Sequence, residues 1–316
     1  MHYETITVFG GSGFLGRYIV RRLAQSGARI RVAVRDPEAA NLLQPMGDVG
    51  QIRAVPANLR HAESIRQAVE GADVVINCVG LLSESGAQTF GAVQANGAGR
   101  VAEAAAAAGA KRLIHLSAIG SDPASPAKYG RSKAAGEALV REHFPDATII
   151  RPSVVFGPED GFFNLFGRLA QVAPMLPLIG GGATRMQPVY VGDVAEGVEA
   201  CMAREGTRGQ TFELGGPEVV SMKECMQRVL EHTGRRCLLM PVPWALAEIQ
   251  GVLLGLLPNP LLTLDQVRLL RVDNVVSEGA RTLGDLGVGR TAMQAVLPRY
   301  MTRYARFGRL ETGRFG

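Results

Sequence analysis

Tyr129 and Lys133 lie one helical turn apart in KYGRSKAAGE, residues 128–137, and Ser117 closes the apolar run RLIHLS upstream of them. Side chains at i and i+4 share a helix face, so a phenol and an ammonium at this spacing can both point at one ligand. A phenol ordinarily titrates near pH 10. An adjacent positive charge favours the phenolate and brings proton transfer closer to neutral pH. Ser117 adds a hydroxyl able to hydrogen-bond a substrate carbonyl. The same spacing also fits an exposed helix pair, and a serine after a buried strand also fits a hydroxyl that satisfies backbone groups.

The ligand class is set by VFGGSGFLGRYIVRRL. Gly10, Gly13 and Gly16 follow a strand and open a helix, where missing side chains allow a tight turn, close approach of a pyrophosphate and close strand–helix packing. Ser12, Phe14 and Leu15 fill the intervening positions. The helix then presents free amides and partial positive charge to phosphates. The next strand, RIRVAVRDP, ends at Arg35, where an NAD-selective site places an acid about 20 positions beyond the loop. A guanidinium there can grip a 2′-phosphate through paired hydrogen bonds, which favours NADP(H). Asp36 follows directly and offers the competing contact to a ribose 2′-hydroxyl.

The elements that must carry these residues alternate. TITVFG, RIRVAV, VVINCV, RLIHLSA and ATIIRPSVV recur with helical stretches between them, the rhythm of βαβ units. The expected fold is α/β: a doubly wound parallel Rossmann sheet over residues 1–156, completed by later segments, with a smaller C-terminal lobe over 157–316. The helix from Arg17 to Ser26 is expected to stop at Gly27, and the alanine-rich helix Val101 to Ala108 at Gly109. Asn96 could cap or brace the latter helix.

Composition narrows the classes further. A chain of 316 residues, 47% hydrophobic with 39 glycines, reads as a folded globular protein. Its four cysteines, Cys78, Cys201, Cys225 and Cys237, are scattered, as are its five histidines, so neither a disulfide framework nor a metal site is expected. No basic-then-apolar leader precedes TITVFG, which points to the cytoplasm. Residues 241–272 form an apolar stretch broken by Glu248, Pro258 and Pro260, too interrupted for the roughly 20 apolar residues of a membrane span. With the basic, aromatic tail 299–316, it suggests a surface for a hydrophobic partner or a membrane interface, or else internal helices and a solvated tail. Nucleic acid is not expected, because no recognised binding module precedes the tail.

The glycine loop, VPANLRHAESI, INCVG, Asn96, HLSAIG, YGRSK, RPSVVFGP and QPVYVGDVAEGV occur in the order that resembles extended or atypical short-chain dehydrogenase/reductases. The resemblance implies Asn58 and Leu59 beside an adenine, Cys78, Val79 and Gly80 along the middle of the cofactor, and Pro152, Ser153, Val154 and Val155 near a nicotinamide. It places Leu116 and Ser117 at the same end, and implies that Lys133 holds the nicotinamide ribose while an oxidised ring helps to acidify Tyr129. Asn58 departs from the aspartate common at its position. NPLLTLDQVRLLRVDNVVS resembles a narrower branch, the nucleotide-binding accessory subunits of respiratory complex I and their bacterial relatives. That likeness implies a fold-stabilising NADPH at a membrane-associated assembly, with some members linked to ubiquinone metabolism, on the cytoplasmic face of the inner membrane. An active NADP-dependent reductase of a hydrophobic ketone or quinone-pathway intermediate is the competing expectation. A nucleotide-sugar epimerase or dehydratase, with Arg185 as diphosphate ligand, is a third.

Overall fold

The computed structural model of the chain describes residues 3–257 and 260–305. Two compact units are distinguished. The first takes in the chain up to Pro152 together with Val191–Leu214 and Ser277–Gly289; the second takes in Ser153–Tyr190, Gly215–Val276 and the chain from Arg290.

In the first unit, strands β1 (Thr5–Phe9), β2 (Arg29–Val34), β3 (Ile52–Pro56), β4 (Val74–Asn77), β5 (Arg112–Leu116) and β6 (Thr148–Pro152) join Thr211–Leu214 in one sheet. Every pairing is parallel, in the order Thr211–Leu214, β6, β5, β4, β1, β2, β3. All residues of β1, β4 and β5 are buried, as expected for strands covered on both faces and written as near-continuous apolar runs. Helices α1 (Phe14–Ala24), α2 (Ala62–Val69), α3 (Asn96–Ala107) and α4 (Lys128–His143) supply the crossovers. Helix α1 packs on Val191–Ala203, while α3 packs on α2 and α4. The strand order reverses between β1 and β4, the point where open α/β sheets leave a crevice beyond the carboxyl ends of their strands.

Helix α1 starts at Phe14, ahead of the expected Arg17, because Gly13 acts as its N-cap and accepts the Arg17 N–H. It ends at Ala24, and Gly27 adopts φ +77° just beyond. Helix α3 is preceded by a π-turn over Gly91–Ala95, closed by the Asn96 N–H on the Gly91 carbonyl. This wide turn was not legible in the sequence.

In the second unit, Met175–Ile179 pairs in parallel with Leu238–Val242, and the helices Phe163–Val172, Met222–Thr233 and Met293–Met301 share an apolar core. A capping box, Ser221 with Glu224, starts Met222–Thr233, and Gly234 in the left-handed conformation ends it. The expectation of a displayed tail over 299–316 is corrected for its first residues. Tyr300 and Tyr304 are buried, with their hydroxyls donating to Asp160 Oδ2 at 2.6 Å and Asn164 Oδ1 at 2.7 Å. Buried phenols need such partners, and here they have them. Residues 306–316 of the expected tail lie outside the described residues. Within 241–272, the helix Trp244–Leu254 turns Ala247 and Gly251 inward and leaves Leu246, Ile249, Val252 and Leu253 exposed. Among the described residues, no helix is long and apolar enough to cross a membrane.

Candidate functional site

The turn after β1 is built by glycine. Gly10 has φ +73°, and a Cβ on it would lie 3.1 Å from the Val79 side chain. A Cβ on Gly16 would lie 2.2 Å from the Gly10 carbonyl oxygen, so no side chain fits where α1 crosses the end of the strand. The Gly13 N–H donates to that same carbonyl at 3.0 Å, tightening the loop. Helix α1 has no acid in its first turn and no side-chain cap, which leaves its amino end suited to an anion. Phe14 sits in this first turn with its ring edge toward Tyr18, and Leu15 and Gly16 follow it.

Gly10, Ser12 and Gly13 line a cleft of about 320 Å³ with Val34 and Arg35 from the end of β2, Asn58 and Leu59 beyond β3, and Cys78, Val79 and Gly80 beyond β4. It lies at the switch point between β1 and β4. The competing acid, Asp36, also reaches this wall, but its Oδ1 accepts the N–H groups of Glu38 and Ala39 and so caps the following turn. Arg35 is exposed and makes no hydrogen bond or ion pair among the described residues. Asn58 Oδ1 accepts the Arg60 N–H at 3.1 Å, so this side chain shapes the turn into α2 as well as lining the cleft.

At the ends of β5 and α4, Lys133 is buried and its Nζ donates to the Leu116 carbonyl at 3.2 Å. Nζ lies 5.9 Å from the centroid of the Tyr129 ring, which also meets Phe90 edge-on. In the chain without a nucleotide, burial and not the ammonium dominates the titration of this pair. Burial pushes Tyr129 up to about 12, and burial pushes Lys133 itself down to about 8 against the opposing pull of Glu137. Desolvation penalises both charged forms more than their mutual placement rewards either. Burial likewise raises the Cys78 thiol to about 12 and lowers His115 to about 3, so neither is charged near neutral pH. Ser117 Oγ is buried and has no hydrogen-bond partner among the described residues. An orphaned buried hydroxyl is costly unless a ligand or water meets it, which suits a group that receives a substrate or cofactor atom.

Two features escaped the sequence. Gln94, not Asn96, is the buried amide of this region: its Oε1 accepts the Leu81 N–H and its Nε2 donates to Ser132 Oγ, each at 2.8 Å. Asn96 is exposed. Along α4, Glu137 receives two hydrogen bonds from Arg151 at 2.9 and 2.7 Å, and Arg151 also pairs with Glu213 at 3.5 Å. The alternation of charged and apolar residues would have flagged neither, since buried polar groups are recognised by their partners.

Pro152 ends β6 and its carbonyl accepts the Ile119 N–H. Ser153, Val154 and Val155 belong to the second unit. There, Ser153 Oγ donates to Asn274 Oδ1 at 2.6 Å, the Val154 N–H donates to the same oxygen at 3.0 Å, and Val155 pairs with Val189. Arg185 is held by Asp273 through Nε at 2.8 Å. It is thereby engaged within its own unit, which weakens the diphosphate-ligand expectation.

With the parallel sheet, the glycine turn and the Ser117, Tyr129 and Lys133 set described, comparison with known proteins decides the family. Residues 6–215 match the NAD dependent epimerase/dehydratase family. The chain belongs to that family. As an extended short-chain dehydrogenase/reductase of this kind, it is 37% identical to the mitochondrial NADH dehydrogenase (ubiquinone) 1 alpha subcomplex subunit 9 of Rattus norvegicus, over 91% of this chain and 77% of that protein. It is 36% identical to the ceramide reductase of Caulobacter vibrioides, over 60% of this chain and 58% of that protein. The epimerase/dehydratase fold is shared with the crystal structure of DesIV, a dTDP-glucose 4,6-dehydratase from Streptomyces venezuelae with NAD bound, at a TM-score of 0.72 and 20% identity, covering 96% of this chain and 98% of that one.

Proposed function

We propose that this protein is an NADP(H)-binding accessory subunit or assembly factor of a membrane-associated respiratory or quinone-related complex, peripheral on the cytoplasmic face of the inner membrane. Relatives that are named as subunits of a ubiquinone-reducing NADH dehydrogenase support the assembly. The observation in this chain that carries the reading is the outward face of the helix Trp244–Leu254 and the turn after it. Leu246, Ile249, Val252, Leu253, Leu256 and Leu257 are all exposed. Spaced three and four residues apart, these side chains form one apolar stripe, and contiguous exposed apolar surface marks an interaction site. Purification through a tag on this chain from detergent-solubilised membranes is expected to recover respiratory-complex subunits. The pair Leu253→Glu and Leu256→Glu is expected to abolish that recovery while leaving nucleotide affinity unchanged. Full recovery by the double variant would sink the reading.

The residues fit the dinucleotide. Gly10 and Gly16 give a turn that only missing side chains permit, Gly13 tightens it, and α1 offers its amino end to a pyrophosphate. Arg35, unpaired at the cleft wall, supports a 2′-phosphate, while Asp36 is committed to its own turn. Asn58 and Leu59 would flank the adenine, Cys78 to Gly80 the middle, and Leu116, Ser117, Tyr129, Lys133 and Pro152 the nicotinamide end. When bound, the cofactor would supply a hydride donor or acceptor. Tyr129 would hold the proton, Lys133 the ribose, and Ser117 a carbonyl oxygen.

A second reading, an active NADP-dependent reductase of a hydrophobic ketone or quinone-pathway intermediate, is favoured by the complete Ser117, Tyr129 and Lys133 set and by the unpartnered Ser117 hydroxyl. Steady loss of NADPH absorbance on addition of long-chain ketones or quinone precursors, abolished in Tyr129→Phe, would establish it.

A further inference from the structure

The first unit contains a polar device that the dinucleotide reading leaves unused. The π-turn Gly91–Ala95 holds one residue more per turn than the helix it feeds. Gln94 in this turn is 2% exposed, while Asn96, two residues on, faces solvent. The Gln94 amide is spent in both directions. Oε1 accepts the Leu81 N–H, in the loop that lines the cleft beyond β4, and Nε2 donates to Ser132 Oγ on α4. Ser132 Oγ passes the chain on by donating to the Tyr129 carbonyl at 2.8 Å. The Gln94 backbone touches α4 as well, since a Cβ on Gly136 would lie 2.4 Å from its carbonyl oxygen. On the other side, a Cβ on Gly80 would lie 3.3 Å from Lys133 Nζ and 3.6 Å from Gln94 Oε1. The loop and α4 thus meet across this one amide, with no space for a side chain at Gly136 and close contact at Gly80.

We infer that Gln94 is a positioning residue that fixes the distance between the Gly80–Leu81 loop and the Tyr129–Lys133 face of α4, and so sets how tightly the nicotinamide half of a dinucleotide is held. This rests on the dinucleotide reading above and adds a division of labour to it. The Arg35 end grips the adenosine half without help from Gln94, because none of these contacts reaches β2 or the turn after β3. A uniquely satisfied buried amide specifies one arrangement of the elements it joins, and losing half of it leaves buried donors or acceptors without partners.

The test is calorimetric titration of the full chain with NADPH and, separately, with adenosine 2′,5′-bisphosphate, a fragment that lacks the nicotinamide half. Gln94→Leu is expected to weaken NADPH at least tenfold while changing fragment affinity less than twofold. Gln94→Glu, which keeps the acceptor for Leu81, is expected to recover most of the loss, and Ser132→Ala to move NADPH in the same direction by a smaller factor, which serves if Gln94→Leu fails to fold. Unchanged NADPH affinity in Gln94→Leu and Ser132→Ala would overturn the inference. So would equal losses for both ligands, which would mark Gln94 as a general structural support. If the parent protein bound neither ligand, the dinucleotide reading itself would fall and take the inference with it.

Discussion

Lys133 is held where its charge is unwelcome. Its ordinary pKa of 10.5 falls to about 8 through burial, which corresponds to roughly 3 kcal/mol in favour of the neutral amine. Between pH 8 and 10.5 the unfolded chain binds a proton that the folded one releases, so the contribution of this side chain to stability rises with pH across that window. Below pH 8 both states carry the proton and the penalty persists in full. Lys133→Met is therefore expected to raise the melting temperature of the ligand-free protein by a few degrees at pH 7, and this advantage should shrink toward pH 10. Thermal unfolding of both proteins across that range measures it, and a variant less stable than its parent at pH 7 would contradict the burial argument. Binding sites commonly carry such costs, and added ligand should offset this one. At Arg35 the expectation is sharper: Arg35→Ala should weaken NADPH by roughly ten- to a hundredfold while leaving NADH nearly unchanged, in keeping with the loss of charge-assisted hydrogen bonds. Equal losses for both nucleotides, or none, would show that the guanidinium does not read the 2′-phosphate.

The elements differ in how openly the sequence announced them. The strands and the glycine turn were legible because parallel strands are written as unbroken apolar runs and because a turn with a positive φ at Gly10 has few other spellings. Gly16 shows how strict that spelling is. Gly16→Ala would set a methyl against the Gly10 carbonyl and is expected to cost about 3 kcal/mol or more, read as a lower denaturation midpoint. A midpoint within error of the parent would mean that the turn relaxes freely. The π-turn hid itself: a single added residue shifts helical phase by about 100°, so which side chains at its end face inward, Gln94 and not Asn96, could not be read from the spacing of an ordinary helix. The Glu137, Arg151 and Glu213 group was equally silent, because its members lie on α4, β6 and the strand Thr211–Leu214. Glu137→Ala should leave Arg151 in a half-buried place with a weaker partner and destabilise by about 3 kcal/mol, whereas an effect below 0.5 kcal/mol would mean that solvent replaces the pair. Tyr300 and Tyr304 misled for a compositional reason: arginines interleaved with aromatics describe a sticky surface and a capped core alike until hydrogen-bond partners are known.

For the whole molecule, a cofactor cleft in the first unit and an exposed apolar helix in the second are separate properties that one function must use together. A soluble enzyme has need of the cleft alone, and six exposed aliphatic side chains along Leu246–Leu257 would then be a liability. An accessory subunit has need of both, with nucleotide binding adding stability by mass action to a chain that carries a buried lysine and an orphaned serine in its site. The proposed function makes NADP(H) a resident ligand of the chain at a membrane-bound complex. It is tested most directly by isolating the complex through this chain, denaturing it, and measuring the identity and amount of nucleotide released. Close to one NADP(H) per chain is expected, retained when the complex is turned over with NADH and quinone before isolation. Release of NAD(H) instead, or no nucleotide, or NADPH that is oxidised as soon as a ketone or quinone precursor is added, would contradict it.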